Sequence, residues 1–147
     1  MKRSITVNIL IGMGFFAFLS IAAYWLVWFT NPAWIQSRNP SDADYLIYIA
    51  FEQAFVLADA WFACAALVGA IGLIKNRPWG LLFMLLAGSA SIFLGLMDLL
   101  YDLQHQIFLP LTPGSTIELI IVCLLLVLGP VVILLSWRNR HQIMVYQ

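Results

Sequence analysis

Charged side chains are scarce in this chain. They make up 10% of its 147 residues, whereas hydrophobic residues make up 63%. A soluble domain carries about 25% charged residues, so this chain has too few to cover a surface that faces water. The sequence therefore predicts an integral membrane protein with a single transmembrane domain over residues 1–147. Because the formal net charge is zero, nothing in the charge indicates nucleic acid as a partner.

Cysteine and histidine are also rare, with two of each. Cys64 and Cys123 form no Cys-x-x-Cys pair, which argues against thiol redox chemistry, and we expect both to be buried as small hydrophobic residues. His105 and His141 are predicted on opposite membrane faces, which excludes haem ligation by both. Asp102 and His105 have a spacing that suits a transition metal, but a solvated histidine is the commoner outcome. We therefore expect no cofactor and no bound metal.

Four apolar segments are long enough to cross a membrane, which takes about 20 residues. Turn-forming sequences rich in asparagine, proline and glycine separate these segments. The link between the second and third, Lys75–Pro78, is short enough to require an antiparallel hairpin. We predict an all-α bundle of four transmembrane helices in up-down-up-down order, with helices at about 5–30, 45–74, 79–103 and 116–137.

The basic residues are distributed unevenly between the two predicted membrane faces. Six of the seven lie at the N-terminus, in the second loop or near the C-terminus, and only Arg38 lies in the first loop. Lysine and arginine are enriched in cytoplasmic loops. We therefore predict that both termini are cytoplasmic, and we expect the membrane to be a bacterial inner membrane.

Five of the seven acidic residues fall inside or at the ends of the apolar segments: Glu52, Asp59, Asp98, Asp102 and Glu118. Ionisable side chains within a membrane are costly and are functional-site candidates by default. With a rise of about 1.5 Å per residue, all five are predicted at the centre or in the outer half of the membrane. Several carboxylates at low dielectric constant cannot all be ionised without partners. The site is therefore predicted to hold protons, a cation or both.

Small residues recur every three or four positions in the second and third helices, in line with the acids. Small residues let transmembrane helices pack closely. We expect the two stripes to face each other, closely packed in the inner half of the membrane and open in the outer half. The stripes consist of Glu52, Val56, Asp59, Ala63, Ala66 and Ala70 in the second helix, and of Met84, Gly88, Ser91, Gly95, Asp98 and Asp102 in the third.

This pattern predicts an outward-facing pocket between the second and third helices, closed by the first and fourth. Aromatic side chains near the acids would attract an organic cation through their ring faces. The predicted ligand-binding residues are Glu52, Asp59, Asp98, Trp61, Tyr24 and Tyr101. The predicted rim residues are Asp102, Glu118 and Arg38.

The same acids also have purely structural explanations. Asp59 could accept a hydrogen bond from Trp61, Ser91 or Tyr24. Glu118 lies in the first turn of its helix, where the helix dipole favours an anion. We favour function for Glu52, Asp59 and Asp98 because a charge near mid-membrane is costly, and we interpret Asp102 and Glu118 as interfacial residues.

Parts of the chain resemble two groups of known proteins. The turn Asn76-Arg77-Pro78-Trp79, the buried acid of the second helix and Gly95-Leu96 resemble features of small uncharacterised bacterial four-helix membrane proteins; this resemblance implies no activity. The stretch Glu52-Gln53-Ala54-Phe55-Val56-Leu57 is similar to a Glu-x-x-Phe-x-Leu stretch of the EXPERA group, which includes sterol isomerases and the sigma-2 receptor. That resemblance implies a four-helix fold and an acid-lined aromatic pocket for cationic amines or sterol intermediates.

Three functions fit these observations. The leading hypothesis is a non-enzymatic protein that binds or transports a cation, a protonated amine or protons. The first alternative is an intramembrane isomerase or hydrolase acting on a lipid or sterol with paired carboxylates. The second is an accessory or assembly subunit without a ligand. The expected partners are the lipid bilayer, a small cationic ligand or lipid, and either further copies of the chain or a membrane partner protein.

Overall fold

The computed structural model describes residues 4–31, 42–109 and 111–144, and for residues 42–45 and 144 it describes the backbone alone. Within these ranges the chain folds into helices and contains no strand. They are α1 (Ile5–Thr30), α2 (Asp42–Ile74), α3 (Pro78–Gln104), α4 (Pro113–Arg138) and the short α5 (Arg140–Met144).

Four of these helices, α1 to α4, are long and apolar enough to cross a membrane, with mean hydropathies of 2.0 to 3.1. The prediction of an all-helical protein with four such segments is therefore confirmed, and an integral membrane protein is indicated. The helices begin and end within a few residues of the predicted segments. The short α5 was not predicted; its Ile143 is 5% exposed and belongs to the same hydrophobic cluster as Leu10 and Leu73.

Local signals in the sequence explain where the helices begin and end. The Ser4 side chain accepts a hydrogen bond from the Val7 backbone N–H and caps α1. Thr112 and Ser115 form a reciprocal capping box at the start of α4. At the end of α2, Asn76 adopts a left-handed conformation with φ of 49°, which asparagine tolerates better than most residues.

The turn between α2 and α3 is held by two backbone hydrogen bonds that reverse the chain. The Arg77 N–H donates to the Gly72 carbonyl and the Asn76 N–H donates to the Leu73 carbonyl, the pattern of a Schellman motif. Pro78 then begins α3, where the missing N–H of proline costs nothing. This compact turn brings Gly72 and Gly80 into backbone contact.

Glycine and alanine set the distances between neighbouring helices. A Cβ at Gly14 of α1 would lie 2.8 Å from the Ala66 carbonyl oxygen of α2 and 2.9 Å from the Ala70 Cβ. Between α3 and α4, a Cβ at Gly88 would lie 2.9 Å from the Gly129 carbonyl oxygen. The Ser91 hydroxyl also donates to the Leu125 carbonyl of α4. Close approach of backbones through small residues is the usual mode of helix packing in membranes.

The expectation that the two small-residue stripes face each other is wrong. Ala66 and Ala70 of α2 pack against Gly14 of α1, and the glycines at positions 88 and 95 of α3 pack against α4. The α2–α3 contact instead uses Gly69 against Met84 and Gly72 against Gly80. A stripe of small residues permits close approach by any neighbour, so its presence does not identify which helix occupies it.

The prediction that both cysteines are buried is also wrong. Cys64 and Cys123 are free and exposed on the outside of the bundle. Lipid is as apolar as the interior of the bundle, so hydrophobicity does not distinguish inward from outward positions on a membrane helix. Both thiols lie in apolar segments, but on the faces that point away from the other helices.

Candidate functional site

A cavity of about 470 Å³ lies among the four long helices. This volume is in the range of small-molecule binding sites, about 300 to 1,000 Å³. All four helices contribute to its lining, each with residues that are mostly three or four positions apart and therefore share one face. The cavity is therefore bounded by α1, α2, α3 and α4.

The cavity is elongated along the helices. Its lining extends over fifteen positions of each helix, from 13 to 27 on α1, 52 to 66 on α2, 84 to 98 on α3 and 118 to 132 on α4. The fourteen steps from the first to the last position correspond to a length of about 21 Å. We call the end that contains Glu52, Asp98 and Glu118 the acidic end, and the end that contains Met13, Ala66, Met84 and Val132 the apolar end.

Four carboxyl groups line the cavity, and they are concentrated at one end. Glu52, Asp98 and Glu118 are the lining residues nearest the acidic end on α2, α3 and α4. Asp59 lies two turns deeper on α2. The remaining lining is apolar apart from Tyr24 and two serines. In the described part of the chain, no lysine, arginine or histidine contributes to this lining. These four acids, which come from three different helices, thus lie around a single space.

Aromatic residues hold three of the four acids. The Tyr24 hydroxyl donates to Glu52 Oε2 over 2.8 Å. Trp25 Nε1 donates to Asp59 Oδ2 over 3.0 Å, and the Tyr48 hydroxyl donates to Glu118 Oε1 over 3.1 Å. Each bond joins two different helices, so the aromatic donors fix the acids and also tie the bundle together at its acidic end.

Asp98 differs from the other three acids. It lines the cavity from α3, but its carboxyl group accepts no hydrogen bond from the residues that the structure describes. Tyr24, Trp25 and Tyr48 are neutral donors and leave acceptor capacity on the acids that they contact. The Asp98 carboxyl group keeps its full acceptor capacity in a lining that it shares with the other three acids.

An aromatic cluster surrounds the acidic end. Trp25, Trp28, Tyr48 and Tyr101 are buried together, with exposures of 4 to 9%. Tyr101 stacks on Phe51 with ring centroids 3.8 Å apart. These rings fill the space beside the carboxyl groups with groups of low polarity, and Trp25, Tyr24 and Tyr48 direct their donors to the acids.

Three predicted site residues lie away from the cavity lining. Trp61 is 52% exposed on the outside of α2, and Tyr101 is buried between Phe51 and His105. Asp102 is 6% exposed and also does not line the cavity. Arg38, predicted at the rim, lies outside the described residues. By contrast Glu118, predicted at the rim, is part of the lining.

Two residues at the site were not predicted from the sequence. Trp25 is the donor to Asp59 in place of Trp61, Ser91 or Tyr24, and Tyr48 is the donor to Glu118. Helical spacing could have indicated Trp25, because Trp25 lies on the same buried face of α1 as Gly14 and Trp28. Tyr48 precedes Glu52 by one turn on α2, but its partner on α4 is set by the tertiary fold.

The cavity is open on one side, between α1 and α4. These helices each pack closely with one neighbour but make little contact with each other. The lining residues beside this gap are exposed: Phe16 is 54% and Val27 42% exposed on α1, and Leu124 is 42% exposed on α4. The lining of α3 is buried apart from Asp98. We call this gap the lateral cleft; in a membrane-spanning bundle it faces lipid.

The site geometry is the available guide to function. Comparison with protein-family models, with curated proteins and with solved structures gives no match. Among the described residues, no group of three or more histidine, cysteine, aspartate or glutamate side chains has the arrangement of a metal site. Any proposed function must therefore account for a long apolar cavity with four acids in one half.

Proposed function

We propose that this protein binds an organic cation, specifically a protonated amine, at the acidic end of the cavity. The observation that carries the proposal is the convergence of Glu52, Asp59, Asp98 and Glu118 on a cavity whose described lining contains no basic side chain. Carboxyl groups in a medium of low dielectric constant need a positive partner or a proton. An amine supplies the charge together with N–H donors for acceptors that the aromatic residues leave unused.

An organic cation suits this site better than a metal ion. The cavity is far larger than a single ion requires, and its lining beyond the acids is apolar. The aromatic ring of Tyr24 lies at the lining beside Glu52, where its face adds to the attraction for an organic cation.

The proposal includes a membrane arrangement. An up-down-up-down order is supported by the contacts, since Gly14 of α1 lies beside Ala66 and Ala70 of α2, whereas Tyr24 bonds to Glu52. Both termini on the cytoplasmic side are supported by the placement of six of the seven basic residues. The acidic end would then face outward. A bacterial inner membrane stays a prediction of the sequence.

The experiment compares n-hexylamine with n-hexanol, which has the same chain without the charge, on the purified protein at neutral pH. We expect hexylamine, but not hexanol, to raise the thermal unfolding temperature in a dose-dependent manner, because ligand that binds only the folded state stabilises it. A charged hydrogen bond contributes about 1.5 to 3 kcal/mol. Asp98→Asn should therefore weaken hexylamine binding by roughly tenfold to a hundredfold.

Asp102→Asn provides the matched control. It makes the same chemical change one turn further along α3, at a side chain that does not line the cavity, and it should leave hexylamine affinity within about twofold. Equal stabilisation by hexylamine and hexanol would contradict the proposal. So would an unchanged hexylamine affinity in Asp98→Asn.

The lateral cleft favours a second candidate function. An enzyme that isomerises or hydrolyses a lipid needs access from the bilayer and carboxyl groups for proton transfer, and the cavity offers both. The test is incubation of the protein with a bilayer lipid extract, followed by mass spectrometry. Consumption of one lipid species that stops in Glu52→Gln would favour the enzyme; unchanged lipids would leave binding as the function.

A further inference from the structure

The polarity of the cavity changes along its length. The four acids lie in the half of the cavity that extends from the acidic end to Asp59. Asp59 is seven residues from Glu52 on α2, which corresponds to about 10 Å. The second half, from Asp59 to Ala66, is lined by apolar side chains and small residues. A compact amine would fill the first half only and leave an apolar space of similar length beyond it.

The shape of the apolar part points to a hydrocarbon chain. A volume of about 470 Å³ spread over about 21 Å makes the cavity long and narrow, which suits an extended chain better than a compact ring system. One leaflet of a bilayer has about 15 Å of hydrocarbon. The cavity is therefore long enough for a polar headgroup and a chain of lipid length.

The lateral cleft gives such a chain a route from the membrane. The exposed lining residues of α1, at positions 16, 20, 23 and 27, are spaced by three and four residues and form one edge of the cleft. A ligand in the bilayer would pass this edge without leaving an apolar environment. Entry of a chain from the water phase would instead require passage through the aromatic and acidic end.

We infer that the ligand is a single-chain amphiphile whose protonated amine headgroup lies among the acids and whose alkyl chain extends along the cavity to Met84 and Val132. This inference rests on the proposed function and adds the chemical class of the ligand. Charge complementarity places the headgroup, and the apolar lining places the chain.

The experiment compares n-dodecylamine with n-hexylamine, whose chain is half as long, on protein in lipid nanodiscs. Leu128→Trp puts a larger side chain into the apolar part of the lining. We expect it to weaken dodecylamine binding at least tenfold, because the chain no longer fits, and to leave hexylamine binding within about twofold. The retained hexylamine binding shows that the variant is folded.

Leu134→Trp is the matched control, since it makes the same change on the same helix at a side chain that is 60% exposed on the outside; both amines should bind it as they bind the unchanged protein. Should Leu128→Trp not yield folded protein, Val132→Trp tests the same space at the apolar end. Unchanged dodecylamine binding, or equal losses of both amines, would overturn the inference while the proposed function stands. Failure of both amines to bind the unchanged protein would instead overturn the proposed function.

Discussion

Replacing Gly80 by alanine is expected to lower the thermal unfolding temperature by several degrees. A Cβ at this position would lie 2.5 Å from the Leu73 backbone nitrogen and 2.6 Å from the Gly72 carbonyl carbon. Both contacts are to backbone, and the turn at Asn76 fixes the helices on either side, so neither can move without separating α2 from α3. Overpacking of this kind costs about 1 to 3 kcal/mol.

Helix propensity acts in the opposite direction at the same site, because alanine is favoured over glycine by up to about 1 kcal/mol in a helix. Gly12→Ala isolates this term, since a Cβ at Gly12 meets nothing within 4 Å. We expect Gly12→Ala to leave stability unchanged or slightly raised. Gly80→Val adds two further methyl groups to the overlap and should lose more than Gly80→Ala.

The measurement is the temperature at which half of the protein leaves the monodisperse peak in detergent, taken for the three variants and the unchanged chain. If Gly80→Ala and Gly12→Ala shift this temperature equally, the close backbone contact between α2 and α3 does not limit stability. A larger loss in Gly80→Val than in Gly80→Ala would show that the added volume matters, once the lower helix propensity of valine is subtracted.

Most of the bundle could be predicted because its signals are local. Runs of apolar residues define the four long helices, and proline with asparagine or glycine defines where they stop. The short turn at Lys75–Pro78 fixes α2 and α3 as neighbours, because the chain has no length to do otherwise. The depth of an acid follows from its position along a helix, so the grouping of Glu52, Asp98 and Glu118 at one level could also be predicted.

Rotation of the helices about their axes could not be predicted in the same way. A soluble helix shows its buried face by hydrophobic periodicity, but a membrane helix is apolar on all sides. Trp61 and Trp25 illustrate the consequence. Trp61 is predicted at the site and lies on the outside, whereas Trp25 is not among the predicted site residues and donates to Asp59. The choice between two tryptophans depends on a rotation that the sequence leaves open.

The cavity itself arises from a feature that no single helix encodes. The α3–α4 and α1–α2 pairs are drawn together by glycine and alanine, and α1 and α4 are left apart as a result. Bulky lining residues such as Phe16 and Leu124 border the gap without closing it. The sequence indicates the acids of this lining by their depth, but the long apolar part of the cavity depends on how the four helices pack.

Trp25→Phe is expected to destabilise the protein, although it retains an aromatic ring. Trp25 is 8% exposed and its indole N–H donates to Asp59 over 3.0 Å. Phenylalanine removes this donor and leaves a carboxyl oxygen in an apolar setting without it. The loss of a partner for a buried polar group costs about 1 to 3 kcal/mol, whereas hydrogen bonds between membrane helices average about 0.6 kcal/mol. We expect Trp25→Phe to lower the free energy of unfolding by about 0.6 to 3 kcal/mol, measured by thermal unfolding in detergent.

Trp61→Phe is the matched control, because the same change is made on a side chain that is 52% exposed on the outside of α2 and should alter stability by less than about 0.5 kcal/mol. A double-mutant cycle then separates the hydrogen bond from the loss of ring volume. In a background of Asp59→Leu, which removes the acceptor, Trp25→Phe should cost less than it does alone. Equal costs in both backgrounds would show that Trp25 stabilises the acidic end by packing and that its bond to Asp59 contributes nothing. A smaller cost in the Asp59→Leu background would establish that the Trp25 indole N–H stabilises the bundle through its bond to Asp59, and the difference between the two costs would measure that bond.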